Sequence, residues 1–372
     1  MFRRTMFRWS RMAALGLVLA PGAALAQHWQ FDRAPGENLE IRLRTGGGIT
    51  IQGGGSGVTI DAAVSGRDKA RVQVMAVATA DGVRVSSEVS GNQRNTSADV
   101  DLTITVPDRF DVDLETMGGD IRITGVEGRL DGQTMGGAIV LHEVRGEVTL
   151  NTMGGKIQVT DSEADGKVST MGGNVEFHNV RGGLKGTSMG GLVTIDDSDG
   201  IGAGAGNVVR ISTMGGPIHV KTAPAGAEVS TMGGNVTIES AGGPVDASTM
   251  GGRIEIGEAS SDVTASTMGG DVVVRMVGSG GDVDIESKGG TIELTLPSGF
   301  AADFDLELAY TRNSKRAYEI RSDFPVQQRQ SNDWSYEQGS PRKYIYGKGS
   351  TGAAHQVKVR TVNGNVVIHQ GG

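Results

Sequence analysis

"STMGGNVTIESAGGPVDASTMGGRIEI", residues 230–256, says one phrase twice. In each copy Thr-Met-Gly-Gly is followed by one variable residue and then by an apolar–polar–apolar run, Val236-Thr237-Ile238 and Ile254-Glu255-Ile256. The Met of the phrase falls at 117, 135, 153, 171, 189, 214, 232, 250 and 268. The step is 18 everywhere except between Met189 and Met214, where it is 25. The surplus maps onto DSDGIGAGAG, residues 197–206, which reads as a loop extruded from one turn. Repeats at one short period indicate stacked units rather than independent domains.

The columns of the repeat identify the unit. Four places after each Met stands Ile or Val without exception, from Ile121 to Val272. Six places after stand Ile123, Leu141, Val159, Phe177, Ile195, Val220, Ile238, Ile256 and Val274. A spacing of two puts both columns on one face of a strand, and β-branching suits that surface. A second apolar alternation lies five and three places before the Met, as in Val148 with Leu150. Each period thus holds two short strands and two corners, and its periodicity of 2 with frequent Gly excludes a helix. The expected fold is all-β: a single-stranded β-solenoid, or β-helix, of 18-residue coils with β-rich N- and C-terminal caps. Coils would stack at the ~4.8 Å spacing of neighbouring strands, and Gly at a corner permits positive φ or close approach to the next coil.

The Met shares the parity of the strand columns, so it is expected inside, as a stacked thioether ladder. The competing reading is an exposed stripe able to bind a soft metal such as Cu(I). The residue before each Met is Thr, or Ser at 188. Its expected role is to close a corner ladder with its hydroxyl. Ice-binding solenoids also carry Thr ranks, but as paired T-x-T, and the second place here is Gly.

Composition agrees with many thin layers of core. The 372 residues include 60 Gly, and aromatics make up only 4%. Residues 1–26 have the three-part layout of a secretory signal peptide. Arg3, Arg4, Arg8 and Arg11 precede an apolar run that ends in Ala24-Leu25-Ala26, with cleavage expected before Gln27. Losing those four Arg leaves 31 basic against 43 acidic residues, a net charge of −12. Such a chain is a poor phosphate-backbone binder, so nucleic acid is excluded as a partner. No later apolar run approaches the ~18 residues of a transmembrane segment. The absence of Cys removes disulfides and thiolate metal sites.

Degenerate rungs flank the regular block. Arg44-Thr45-Gly46-Gly47-Gly48-Ile49 carries Thr in the Met place, Ser287-Lys288-Gly289-Gly290 carries Lys, and Thr361-Val362-Asn363-Gly364 closes the chain. Terminal repeats drift because they cap the stack. With these go Val106-Pro107, Phe110-Asp111-Val112-Asp113-Leu114 and Leu296-Pro297-Ser298-Gly299-Phe300. On these motifs residues 40–372 resemble the bacterial "putative adhesin" domain family of exported β-solenoids. The fixed Met-Gly corner is a departure in side chain, not in layout. The resemblance implies a structural or adhesive role in the cell envelope and brings no catalytic residues with it.

The expected organisation is a signal peptide at 1–26, an N-terminal β cap with the first rung at 27–107, regular coils at 108–296, and an aromatic-rich region with the closing rung at 297–372. Within 52–107, alternating runs near Val58–Val64, Arg71–Val77, Gly82–Val89 and Val100–Val106 read as an antiparallel meander. Nine of the sixteen aromatics lie at 300–346. Phe300, Phe304 and Phe324 are expected to plug the end of the stack. Trp334, Tyr336, Tyr344 and Tyr346, set among Arg and Lys, are the candidate partner surface.

No chemistry converges elsewhere. Gly186-Thr187-Ser188-Met189-Gly190 matches a nucleophile elbow by letter, but Ser188 occupies the Thr column of a corner. Asp197-Ser198-Asp199-Gly200 hints at a Ca²⁺ loop and fails at Ile195 and Gly206. His142 and His178 share a column two coils apart, and His178 is expected beside Asp196. No catalytic residue, metal or cofactor is therefore expected. The sequence points to an exported non-enzymatic structural or adhesin-like protein, periplasmic or at the cell surface. Its expected partners are envelope polysaccharide or a surface protein, with end-to-end self-association as a further mode. The alternatives are a polysaccharide-active β-helix enzyme and a self-assembling envelope scaffold.

Overall fold

The computed structural model describes residues 25–91, 96–196, 208–314, 316–336 and 340–371. The expected signal peptide, up to residue 24, and the 197–206 loop with its Ca²⁺-like motif lie outside the described residues. Among the described residues the chain is all-β, with a single 3-10 turn at Lys69–Arg71. The strands form one continuous sheet that wraps around the core and nearly closes on itself.

Two ladders make up most of that sheet. The front strands lead into the Met-Gly-Gly corner and the back strands leave it. In front, Leu130–Thr134 lies parallel between Asp111–Thr116 and Arg145–Thr152, with Thr134 opposite Thr116 and Thr152. Behind, Ile139–His142 lies parallel between Ile121–Thr124 and Ile157–Thr170, with Ile139 opposite Ile121 and Ile157. Partners in both ladders stand one full repeat apart in sequence. Across the longer step Ser188 pairs with Thr213 and Val193 with Ile218, so the seven extra residues leave the register intact. The closing rung pairs Thr361 with Ser287 and Val366 with Ile292.

The core lies between the two ladders. Val112 and Leu114 in front, and Ile121 and Ile123 behind, are buried, and each position repeats along the stack. A further buried column stands nine places after the Met: Val126, Val144, Ser162 and Val180, then Ala223, Ala241 and Ala259. Two core-facing glycines have a packing cause. A Cβ on Gly186 would meet the Phe177 ring at 2.9 Å, and one on Gly132 would meet the Leu114 carbonyl oxygen at 2.5 Å and the Leu114 side chain at 2.7 Å. The large side chain of one strand fills the space that the glycine of another leaves.

The corner is where successive repeats come closest. A Cβ on the second Gly of the motif would stand 1.9 Å from the Gly137 carbonyl oxygen at Gly155, and 2.0 Å from that of Gly216 at Gly234. Neither glycine has positive φ, so close approach, not backbone conformation, demands Gly there. The first Gly is far less crowded: nothing closer than 3.8 Å faces Gly154. That difference explains why Asn363 can replace the first Gly in the closing rung, while Gly364 remains.

The threonine column knits the corner, as expected. Thr152 Oγ1 donates to the Gly137 carbonyl at 2.8 Å and accepts from Gly155 N–H at 3.2 Å. Thr170, Thr249 and Thr267 repeat both bonds. These hydroxyls are buried, so they do not form the outward rank that an ice-binding face would need.

The methionines do not lie inside. All nine are about half exposed. The buried Thr and the next buried Ile or Val stand five places apart, and the Gly-Gly bend resets the alternation between them. The inward place falls to Thr and the outward one to Met. The first rung differs as well. Leu43 lies opposite Thr116, so its corner is one residue longer and Arg44, not Thr45, follows the inward position.

Residues 52–107 do not form a simple meander. Gly82–Val89 continues the front ladder parallel to Asn38–Leu43, and Ala98–Thr105 continues the back ladder parallel to Ile49–Gln52. Val72–Ala78 pairs antiparallel with the former, and Val58–Gly66 with the latter. Leu25–Phe31 adds antiparallel to Val58–Gly66. Period-2 alternation is the same for parallel and antiparallel partners, so it locates these strands without giving their directions. At the other end Ala302–Thr311 lies parallel to His355–Val362, and Arg342–Ser350 and Val326–Gln330 follow antiparallel. Phe300, Phe304 and Phe324 are buried there, with the rings of Phe304 and Phe324 5.3 Å apart.

Two contrasts test the corner. Gly155→Ala is expected to lower stability by about 3 kcal/mol, at the top of the usual overpacking range, whereas Gly154→Ala changes it by less than about 1 kcal/mol. Thr152→Val strands a carbonyl and an N–H and should cost about 1–3 kcal/mol. Thr152→Ser, which keeps both bonds as Ser188 does, should cost clearly less. Denaturant titrations of the four variants check both.

Candidate interaction surfaces

Two surfaces stand out among the described residues. The first is a groove of about 470 Å³ along the corner of the early coils, lined in part by Met117, Met135, Met153, Met171 and Met189. Its polar wall comes from the column two places before the Met, including Gln133, Asn151, Ser169 and Thr187. Glu115 and Lys167 are its charged lining residues. The backbone holds the methionines in line: Met153, Met171 and Met189 N–H each donate to the Thr carbonyl of the repeat before.

The second surface is the C-terminal sheet, and it divides the four aromatics expected to act together. On Arg342–Ser350, side chains alternate between faces. Tyr344 and Tyr346 share the outer face, their rings stacked 5.7 Å apart and 8° from parallel. Tyr346 is opposite Glu307 on one side and Arg329 on the other. Trp334 belongs with the opposite set: Lys343 Nζ stands 5.4 Å over its ring, and Tyr310 meets it edge-on at 6.0 Å. Tyr310 in turn accepts a bond from Gln330 Nε2 at 2.8 Å. Tyr336 is 63% exposed.

The other motifs resolve into structure. Ser188 is buried, with Oγ donating to the Gly173 carbonyl at 2.8 Å and accepting from Gly191 N–H at 2.9 Å. Its hydroxyl is committed to the corner. His178 Nδ1 stands 3.8 Å from Asp196. Lys221 Nζ bonds the same carboxylate at 2.9 Å and, chiefly through that bond, holds its pKa below the ordinary carboxylate value. His142 lies 3.5 Å from Asp161.

Sequence reading missed a set of acceptors in columns that look random in charge. Asp120, Asn174, Asn235 and Asp271 stand three places after a Met. Each accepts from the backbone N–H of the equivalent residue in the next coil, Ala138, Leu192, Arg253 and Thr291, at 2.7–3.0 Å. Asp111, Asp165 and Asp262 do the same at the other corner. The signal was present as Asp or Asn, whose short side chains reach backbone N–H groups, and was obscured by grouping residues by charge.

The Trp334 cluster gives a measurable coupling. In a cycle of Trp334→Ala, Lys343→Ala and the double variant, thermal unfolding should return about 0.5–1 kcal/mol between the two. Strict additivity would show that the contact contributes nothing.

No protein-family model matches the chain, and no curated protein does. Among the described residues no helix is long and apolar enough to cross a membrane. Solved structures with which it aligns include a "putative adhesin" from Parabacteroides distasonis, at 13% identity and TM-score 0.33, covering 73% of this chain and 98% of that one. A "putative cell adhesion protein" from Clostridium sporogenes aligns at 9% identity and TM-score 0.20, covering 94% and 100%. A "putative adhesin" from Bacteroides fragilis aligns at 11% identity and TM-score 0.22, covering 92% and 96%.

Proposed function

We propose that this chain is an exported, non-enzymatic β-solenoid, wound in 18-residue coils, that serves as a rigid structural or adhesin-like element of the bacterial cell envelope. The observation that carries the reading is the parallel pairing of equivalent residues in both ladders at the offset of the repeat. Twelve successive front strands, from Asn38–Leu43 to His355–Val362, make a stack of roughly 55 Å at ~4.8 Å per strand. Terminal sheets extend it at both ends. A rod held by backbone ladders resists bending and keeps its two ends a fixed distance apart.

Export is supported by the Arg-rich, apolar and Ala-x-Ala order of residues 1–26. Cleavage before Gln27 is compatible with the fold. It shortens Leu25–Phe31 by Leu25 and Ala26 and leaves Gln27 to Phe31 paired with Ala62 to Val58. The outer face with Tyr344 and Tyr346 is the contact surface for envelope polysaccharide or a surface protein, since paired aromatic rings offer broad area at little entropic cost.

Fractionation of an expressing bacterium should place the protein outside the cytosol with Gln27 as its first residue. Cytosolic recovery with an intact N-terminus would overturn export. Small-angle scattering should give a radius of gyration above the about 20 Å of a compact chain of this length. A Tyr344→Ala/Tyr346→Ala variant should lose binding to isolated envelope while keeping its circular dichroism spectrum. Undiminished binding would remove the aromatic face from the proposal.

A further inference from the structure

The methionine row is not explained by packing. Its side chains are 42–54% exposed in all nine coils, where an apolar residue gains little from burial. The repeat itself shows what the position requires. Where a column needs only an apolar side chain, residues exchange: the place six after the Met holds Ile, Leu, Val and Phe in different coils. The outward place two before it runs through Glu, Gln, Asn, Ser and Thr. The repeats have therefore diverged, yet nine in succession keep Met at this place, and other residues, Lys288 and then Val362, stand there only in the last two rungs. A requirement for apolar area would be met equally by Leu. What Leu lacks is the thioether sulfur.

We propose that this row is a binding site for soft monovalent cations, Cu(I) in the first instance, held by thioethers of successive coils. Thioethers are neutral, polarisable donors that favour Cu(I) over hard cations such as Mg²⁺ or Ca²⁺. The ladder fixes the spacing of their attachment points at ~4.8 Å. With metal–sulfur bonds near the ~2.3 Å of zinc–thiolate bonds, two sulfurs that share an ion stand at most ~4.6 Å apart, which is close to the rung spacing. Three flexible torsions let each Met side chain make up the difference. Five methionines already line one groove.

The surroundings suit such a site. On one side lies the row of amides and hydroxyls, with Glu115 and Lys167 as one charge of each sign, and on the other the Gly-Gly corner. The chain has no Cys to compete for the ion. The row also has a defined end. Ser287 lies opposite Thr267, so Lys288 takes the tenth place, and its ammonium repels a cation there. Nine thioethers at two or three per ion hold about three or four ions.

The test uses the full chain and Ag(I), a redox-inert soft cation, with Cu(I) titrated anaerobically against a chromogenic chelator. Ag(I) should shift the methyl resonances of the row in ¹³C-methionine-labelled protein and saturate at about three or four equivalents. A Met135→Leu/Met153→Leu/Met171→Leu variant keeps the apolar surface and should fold with an unchanged thermal midpoint, yet bind at least one ion fewer. Peroxide-treated wild type, its thioethers converted to sulfoxides, should bind none in the row. Unshifted methyl resonances in excess Ag(I), or a variant that binds as many ions as wild type, would overturn the proposal.

Discussion

The stack depends on how closely two backbones pass at the corner. At the second glycine of each repeat the carbonyl of the preceding repeat occupies the space that any Cβ would need. That same carbonyl accepts the bond from the Thr hydroxyl of the next coil. One oxygen thus sets both the absence of a side chain at one position and the presence of a hydroxyl at another. With spacing fixed there, the strands on either side fall into register, and the aliphatic columns between them bury themselves as a consequence.

Inside and outside columns answer to different rules. Inward places are held by volume, and a gain in one ladder is matched by a loss in the other, as Phe177 is matched by Gly186. The change from Val126, Val144 and Val180 to Ala223, Ala241 and Ala259 shows that a buried column can change size along the stack. Outward places vary freely apart from two groups. The Asp and Asn residues tie one corner to the next, and the methionine row holds a single chemistry throughout.

Much of this was legible in the sequence, for identifiable reasons. The parallel register was readable because Ile139 and Ile157 occupy equal places in a repeat of constant length. The Met direction was not, because counting by twos fails across a Gly-Gly bend whose residues belong to neither strand. The neighbours of Val58–Gly66 and Val72–Ala78 were hidden because alternation carries no sense of direction. For the aromatics, composition identified the region but not the faces. Tyr344 and Tyr346 share one side because they are two apart on a strand, and Trp334 joins Tyr310 and Lys343 only through pairing across the sheet.

The order of the last strands bears on how the chain is made. From Leu130–Thr134 to Ile292–Pro297 every rung lands on the one synthesised just before it. His355–Val362, however, sits between Val283–Ser287 and Ala302–Thr311, both of which leave the ribosome earlier. A slot must stay open for a strand that lies later in the chain, and its bare backbone edges can recruit another unfolded chain in the interval. Filling of that slot, rather than growth of the two ladders, is therefore the step at which this molecule is most exposed to aggregation.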